Sequence, residues 1–342
     1  MKINKDTIFS IAIDYPCKYE FKNLLPLLLS LETSGFKGNL VLHHNFVEEK
    51  EIAFIKNYNI ILEKVNPIPS YKGAFNSGGE IRGLDSEPDF LDNGNKGTTS
   101  AGQSQMKRFF YIKHFLENND INEDVYFQLA DARDTWYQKD PFDKEILDKS
   151  PNKITVSKIG FLSKPNGWKI GEREWGSGVI RKSYGEEILE SLKEKPLIGQ
   201  ACVTARSNEF KIYIDAMVRE IEILQKNERM NVACDEPVFQ KWAFENESLL
   251  NILHYQNKLI THVAFLSCVE YMVTSDCIFL TGPHDYDSMG MNYGLPHGVA
   301  PAVFHHVDRS KPIIEYINRK VEEWTKERNL PYDTPYVFMS HK

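Results

Sequence analysis

Asp124-Val125-Tyr126-Phe127-Gln128-Leu129-Ala130-Asp131-Ala132-Arg133-Asp134 is an apolar run that stops on two carboxylates three residues apart. Val125, Tyr126 and Phe127 suit a strand, and the run is apolar enough to be covered on both faces. In open α/β sheets ligands bind in the crevice outside the carboxyl ends of the strands. Asp131 and Asp134 therefore stand where a ligand is met.

Working outward toward the amino end, Thr7 to Asp14 reads as a strand and Phe21 to Thr33 as a helix stopped by Gly35. Gly38 to His44 is a second strand, Phe46 to Tyr58 a second helix and Asn59 to Val65 a third strand. This βαβαβ order predicts an α/β fold, Rossmann-like, with a mixed, mainly parallel central sheet flanked by helices. Asn66 to Gly102 is dense in Gly, Pro, Ser and Asn and too long for a simple connection, which points to a functional loop. From Gln103 to Glu117 the chain is helical, with Met106, Phe109, Phe110, Ile112 and Phe115 inward. Beyond the carboxylates, Lys153 to Ile159 reads as a strand, and Glu186 to Lys193, Glu209 to Gln225 and Glu236 to Glu245 as helices.

A chain of 342 residues with 42% hydrophobic residues can bury a large core. Its formal charge of −7 gives no electrostatic case for a nucleic-acid partner. Met1 to Asp6 lead straight into a short β-rich run with no secretory pattern, and no apolar stretch approaches the roughly 20 residues of a membrane span. Cys17, Cys202, Cys234, Cys268 and Cys277 lack paired spacing and read as reduced, buried thiols. The expectation is a soluble, cytoplasmic protein without a transmembrane segment.

Two carboxylates at a strand end have a chemical use. A pyrophosphate cannot approach them unless a divalent cation lies between, and hard oxygen ligands suit Mg²⁺ or Mn²⁺. A plain turn capped by Asp131, with an Arg133–Asp134 salt bridge, would use the same residues.

The flanking residues carry a resemblance. Leu129-Ala130-Asp131-Ala132-Arg133-Asp134, followed by Gln138 and Asp140-Pro141-Phe142, resembles the DxD region of certain GT-A nucleotide-sugar glycosyltransferases. Far downstream, Val303-Phe304-His305-His306-Val307-Asp308-Arg309 is similar to that family's strand ending in His-Gln-Tyr-Asp-Arg, with His306 and Val307 in place of Gln and Tyr. Ile198 to Ala205 resembles its acceptor-side strand, and Asp235-Glu236-Pro237 its Asp-Gln pair before a helix, with Glu236 for Gln. The resemblance spans about residues 120 to 315.

It implies a metal-dependent transferase that moves a sugar from a nucleoside-diphosphate donor to a carbohydrate or other hydroxyl acceptor. Residues 1–342 would form a single domain: a nucleotide-sugar half at 1–135, an acceptor half at 136–310 and a helical extension at 311–342. Asp131, Asp134 and His305 would hold Mn²⁺ or Mg²⁺. Asp131, Arg133 and Arg108 would contact the donor, joined by Asp14 and Tyr15, which rest on topology alone. Arg108 has a solvated helix charge as its alternative, and Asp14-Tyr15 has turn formation before Pro16.

Asp235 and Glu236 would handle the acceptor chemically, while Asp235 is equally suited to capping a helix. Trp175, Glu174 and Gly199 are acceptor-side candidates, Trp175 and Glu174 in an expected loop at Trp168 to Gly178. His306 should point away from His305, because adjacent strand residues face opposite sides. Gly282 to Asp287 and Gly290 to Gly298 read as an acceptor-side loop, with His284 and His297 unassigned. A sugar-phosphate nucleotidyltransferase is a second reading, opposed by the lack of a Gly-rich basic loop in Asp14 to Lys18. A non-catalytic carbohydrate-binding protein is a third.

Overall fold

Thr7–Ala12 (β1), Asn39–His44 (β2) and Asn59–Lys64 (β3) pair in parallel, Ile8 opposite Leu40 and Leu40 opposite Ile60. The computed structural model describes residues 1–13, 21–44, 47–65, 99–160, 167–226, 235–255, 257–262, 271–273, 277–280, 300–307 and 310–330. Tyr126–Asp131 (β4) runs parallel to the other side of β1. After Thr135–Tyr137 (β5) come Ile154–Ser157 (β6), Thr204–Arg206 (β7) and Leu250–Leu253 (β8). They extend the sheet to the order β8-β6-β7-β4-β1-β2-β3. Only β7 runs against its neighbours in it. Ile260–His262 (β9) and Val303–His305 (β10) join β5 in a second sheet, β9-β10-β5.

Strand alternation sorts the large sheet's side chains into two cores. Ile8, Leu40, Leu42, Tyr126 and Ala130 face one, with Leu25–Thr33 (α1) against them. Phe9, Val41, Phe127 and Leu129 face the other, covered by Thr99–Glu117 (α2). There Phe9 meets Phe115, Phe127 and Phe210 at ring distances of 5.5, 5.2 and 5.6 Å. Burial on both faces is what confines such strands to apolar residues. After Glu174–Tyr184 (α3), Ser207–Lys226 (α4) packs beside α2, and Glu236–Glu245 (α5) beside α4.

Three sequence expectations change. The helix expected at Phe46 to Tyr58 is a single turn, Glu49–Ile52, closed by a reciprocal Glu48–Glu51 capping box. Past it, the Glu32 carboxylate accepts from the backbone N–H of Lys56 and Asn57, holding them out of the helical ladder. The expected loop at Trp168 to Gly178 contains a short 3₁₀ turn, Ile170–Glu172, and the start of α3. Ile198 to Val203 is mostly irregular, with Cys202 at φ 65°, so β7 begins only at Thr204.

Lys311–Glu327 (α6) is the helix within the segment read as a helical extension. The Ser310 side chain caps it by accepting from Ile313 N–H, and Ile313, Ile317 and Val321 enter the same core as α1. Trp136 of β5 stacks on Trp324 with ring centroids 5.5 Å apart.

Candidate functional site

Asp131 is the last residue of β4, and Ala132 to Asp134 turn the chain into β5. Antiparallel pairing of β5 with β10 sets Thr135 opposite His305, which brings the imidazole beside the turn. His305 Nε2 lies 3.1 Å from Asp131 Oδ2 and 3.5 Å from Asp134 Oδ1. The His305 side chain is buried, whereas the two carboxylates keep 23% and 16% exposure and face accessible space.

Parallel pairing of β10 with β9 places His262 opposite His305, with their Nδ1 atoms 3.1 Å apart. The next residue, His306, leaves the strand at φ 58°, and its ring lies 3.7 Å from that of His305. Strand alternation fails there because the backbone turns left-handed, so His306 joins the cluster instead of pointing away.

Arg108, buried on α2, ties the carboxylates to α5. Its Nη1 donates to Asp131 Oδ1, and its Nη2 donates to Asp235 Oδ2 at 2.6 Å. Asp235 stands at the N-cap position of α5 but makes no side-chain cap; its carboxylate is turned to Arg108. Arg108 is therefore occupied by carboxylates and is not a free cation in an open cleft.

The charges follow from this packing. Burial alone would lower the Arg108 pKa, but Asp235 and Asp131 raise it above its ordinary value. Burial would raise Asp131, yet Arg108 and His305 hold it well below the usual carboxylate range. Asp134 is also lowered, His305 outweighing its burial. His305, which burial would depress, is lifted to about 9 by Asp134 and Asp131. Burial, reinforced by the His305 charge, drives His262 and His306 well below the ordinary imidazole value.

Glu236, next along α5, is partly buried 3.6 Å from Arg173 Nη1. Burial pushes its carboxyl up to about 7 despite Arg173. The start of α3 lies alongside, since a Cβ on Gly176 would stand 3.7 Å from Glu236 Oε1. Glu174 is exposed on that helix, and Trp175 follows it. Gly199 is buried against His262: a Cβ there would meet Nε2 at 1.9 Å, so Gly199 makes room for the imidazole. Arg133 sits half-buried in the Ala132 to Asp134 turn.

Asp14, Tyr15, Cys17, Cys234, Cys268, His284, His297, Asp308 and Arg309 lie outside the described residues, as do 66–98, 282–287 and 290–298. Cys202 is buried with its thiol pushed well up by burial and then by Asp131 and Asp134, which suits no nucleophile.

His262 is the member that motif reading missed. The signal for His262 was present, because Leu259-Ile260-Thr261-His262 is another apolar run ending on a ligand-capable side chain, like β4 and β10.

Asp131, Asp134 and His305 offer ligand atoms within 4.8 Å of one another, and so do His262, His305 and His306. Asp134 Oδ1 is buried, with His305 Nε2 at 3.5 Å beside it. A desolvated carboxylate oxygen in that position fits a hard divalent cation. A separate cavity of about 440 Å³, lined by Asp6, Lys37, Gly38, Asp124 and Asp140 among others, opens at the amino ends of β1, β2 and β4, away from this cluster.

No protein-family model and no curated protein matches the chain. Among the described residues, no helix is long and apolar enough to cross a membrane.

Proposed function

We propose that this protein is a metal-dependent glycosyltransferase of the GT-A type, taking its sugar from a nucleoside-diphosphate donor and passing it to a carbohydrate or other hydroxyl acceptor. The observation that carries the reading is the meeting of Asp131 and Asp134 with His305, drawn from positions about 170 residues apart, at the carboxyl end of a parallel strand. The mainly parallel sheet with helices on both faces supports it as a scaffold.

Asp131, Asp134 and His305 would hold Mn²⁺ or Mg²⁺. Such an ion supplies charge neutralisation to a departing nucleoside diphosphate. Arg108 does not contact the donor in this reading; it fixes the Asp131 carboxylate, leaving Oδ2 toward His305. Asp235 is likewise held by Arg108. Glu236, with a pKa near 7, is the carboxylate able to accept the acceptor hydroxyl's proton. Glu174 and Trp175, at the start of α3, are the acceptor-side candidates.

The test is the melting temperature of the full chain with a panel of nucleotide sugars, with and without Mn²⁺. A stabilising shift that needs both donor and ion, and that Asp134→Asn removes, supports the reading. Absence of a shift with every common nucleotide sugar overturns it.

A further inference from the structure

We propose that His262, His305 and His306 form a second, nitrogen-rich site for a borderline divalent transition ion of the Zn²⁺ or Co²⁺ class, used in alternation with the carboxylate site. The Nδ1 atoms of His262 and His305 are 3.1 Å apart. Two imidazole nitrogens bound at about 2.0–2.1 Å to one tetrahedral or octahedral ion stand roughly 3.0–3.4 Å apart, so the pair already has the spacing of one coordination edge. Gly199 closes on His262 Nε2, which leaves Nδ1 as the ligating atom.

His306 supplies the third imidazole. Its Nδ1 is buried without a hydrogen-bond partner. Leaving such an atom unpaired is unfavourable, as is φ 58° at a non-glycine residue, and strain of this kind gathers at ligand sites. That backbone turn is also what lays the His306 ring against His305. The His306 side chain is only half-buried, which leaves a way in. Imidazole donors favour Zn²⁺, Co²⁺ and their neighbours, whereas the carboxylate group favours Mg²⁺ and Mn²⁺.

The two sites share His305, through Nδ1 on one side and Nε2 on the other. A neutral imidazole has one free lone pair, so His305 serves one ion at a time. A borderline ion in the histidine site therefore withdraws a ligand from the carboxylate site.

The experiment uses the full chain, with Co²⁺ followed by its visible absorption and Mn²⁺ by electron paramagnetic resonance. His306→Asn removes the imidazole while tolerating the positive φ. It should weaken Co²⁺ binding by about tenfold or more and leave Mn²⁺ unchanged, while Asp134→Asn should do the reverse. In the unmutated chain, Zn²⁺ should raise the apparent Kd for Mn²⁺. Co²⁺ affinity unchanged in His306→Asn, or Zn²⁺ and Mn²⁺ bound together without mutual effect, overturns the proposal. An unmutated chain that binds Co²⁺ but not Mn²⁺ would sink the transferase reading and leave this one standing; one that binds Mn²⁺ but not Co²⁺ would do the opposite.

Discussion

Arg108 Nη2 donates to Asp235 Oδ2 at 2.6 Å, joining the helix before β4 to the first turn of α5. Because Nη1 also holds Asp131, removing the guanidinium strands the buried Asp235 carboxylate and takes one of the partners of the partly exposed Asp131. Arg108→Leu should cost about 3–5 kcal/mol in urea denaturation, the usual penalty for breaking a buried pair from one side. Arg108→Lys should cost less but still weaken Mn²⁺ binding, since one ammonium cannot reproduce the two-pronged contact. A neutral outcome for Arg108→Leu would mean that the contact is not formed in solution.

Gly199→Ala tests the closeness of β9 to the segment before β7. The added methyl would fall 1.9 Å from His262 Nε2, so the imidazole or the backbone must move. Overpacking of this kind costs about 1–3 kcal/mol. Metal affinity should fall along with stability, because His262 is packed against His305. A drop in melting temperature with unchanged metal titrations would separate the packing role from the site.

Glu236 gives two pH signatures. Its folded pKa, about 7, lies above the ordinary 4.5, so the folded chain holds the proton more tightly than the unfolded chain. Stability from this group should therefore fall as pH rises from about 4.5 to about 7, and Glu236→Gln should flatten that limb. If Glu236 is the base, turnover should rise through the same region and drop by roughly 10²–10⁴-fold in Glu236→Gln. Turnover indifferent to the substitution would remove Glu236 from the chemistry.

His43 acts in the opposite direction; Ile11 of β1 stands between it and Asp131 in the sheet. It is buried on β2, its ring stacked on Tyr111 at 5.7 Å, and burial lowers its pKa to about 3. A depressed histidine contributes stability that is complete above about 6.5 and is lost as pH falls toward 3. Between pH 6.5 and 5 the loss should approach about 2 kcal/mol. His43→Leu should show a shallower acid limb in denaturation curves at the two pH values, whatever its stability at pH 7.

Much of the candidate site was legible before any coordinates. The apolar run to Ala130 had to be a covered strand, and a strand end is where charged side chains can remain accessible, so Asp131 and Asp134 stood out. His305 was expected only through the resemblance of the Val303 to Arg309 segment to the family's downstream motif, and it ends β10. The helix expected at Phe46 to Tyr58 was not a sound reading, because side-chain periodicity says nothing about the distant Glu32 carboxylate that captures the backbone of Lys56 and Asn57.

By itself, then, the amino-acid order determined the mainly parallel sheet and the two carboxylates at the end of β4, since period, apolar content and strand ends are local properties of the chain. Only the tertiary structure decided that Asp235 faces Arg108 instead of capping its helix, and that His262 stands opposite His305. It also decided that His306 turns back toward its neighbour. Each of these depends on strand register, a buried countercharge or a backbone angle set by residues far away in sequence, and no local pattern encodes them.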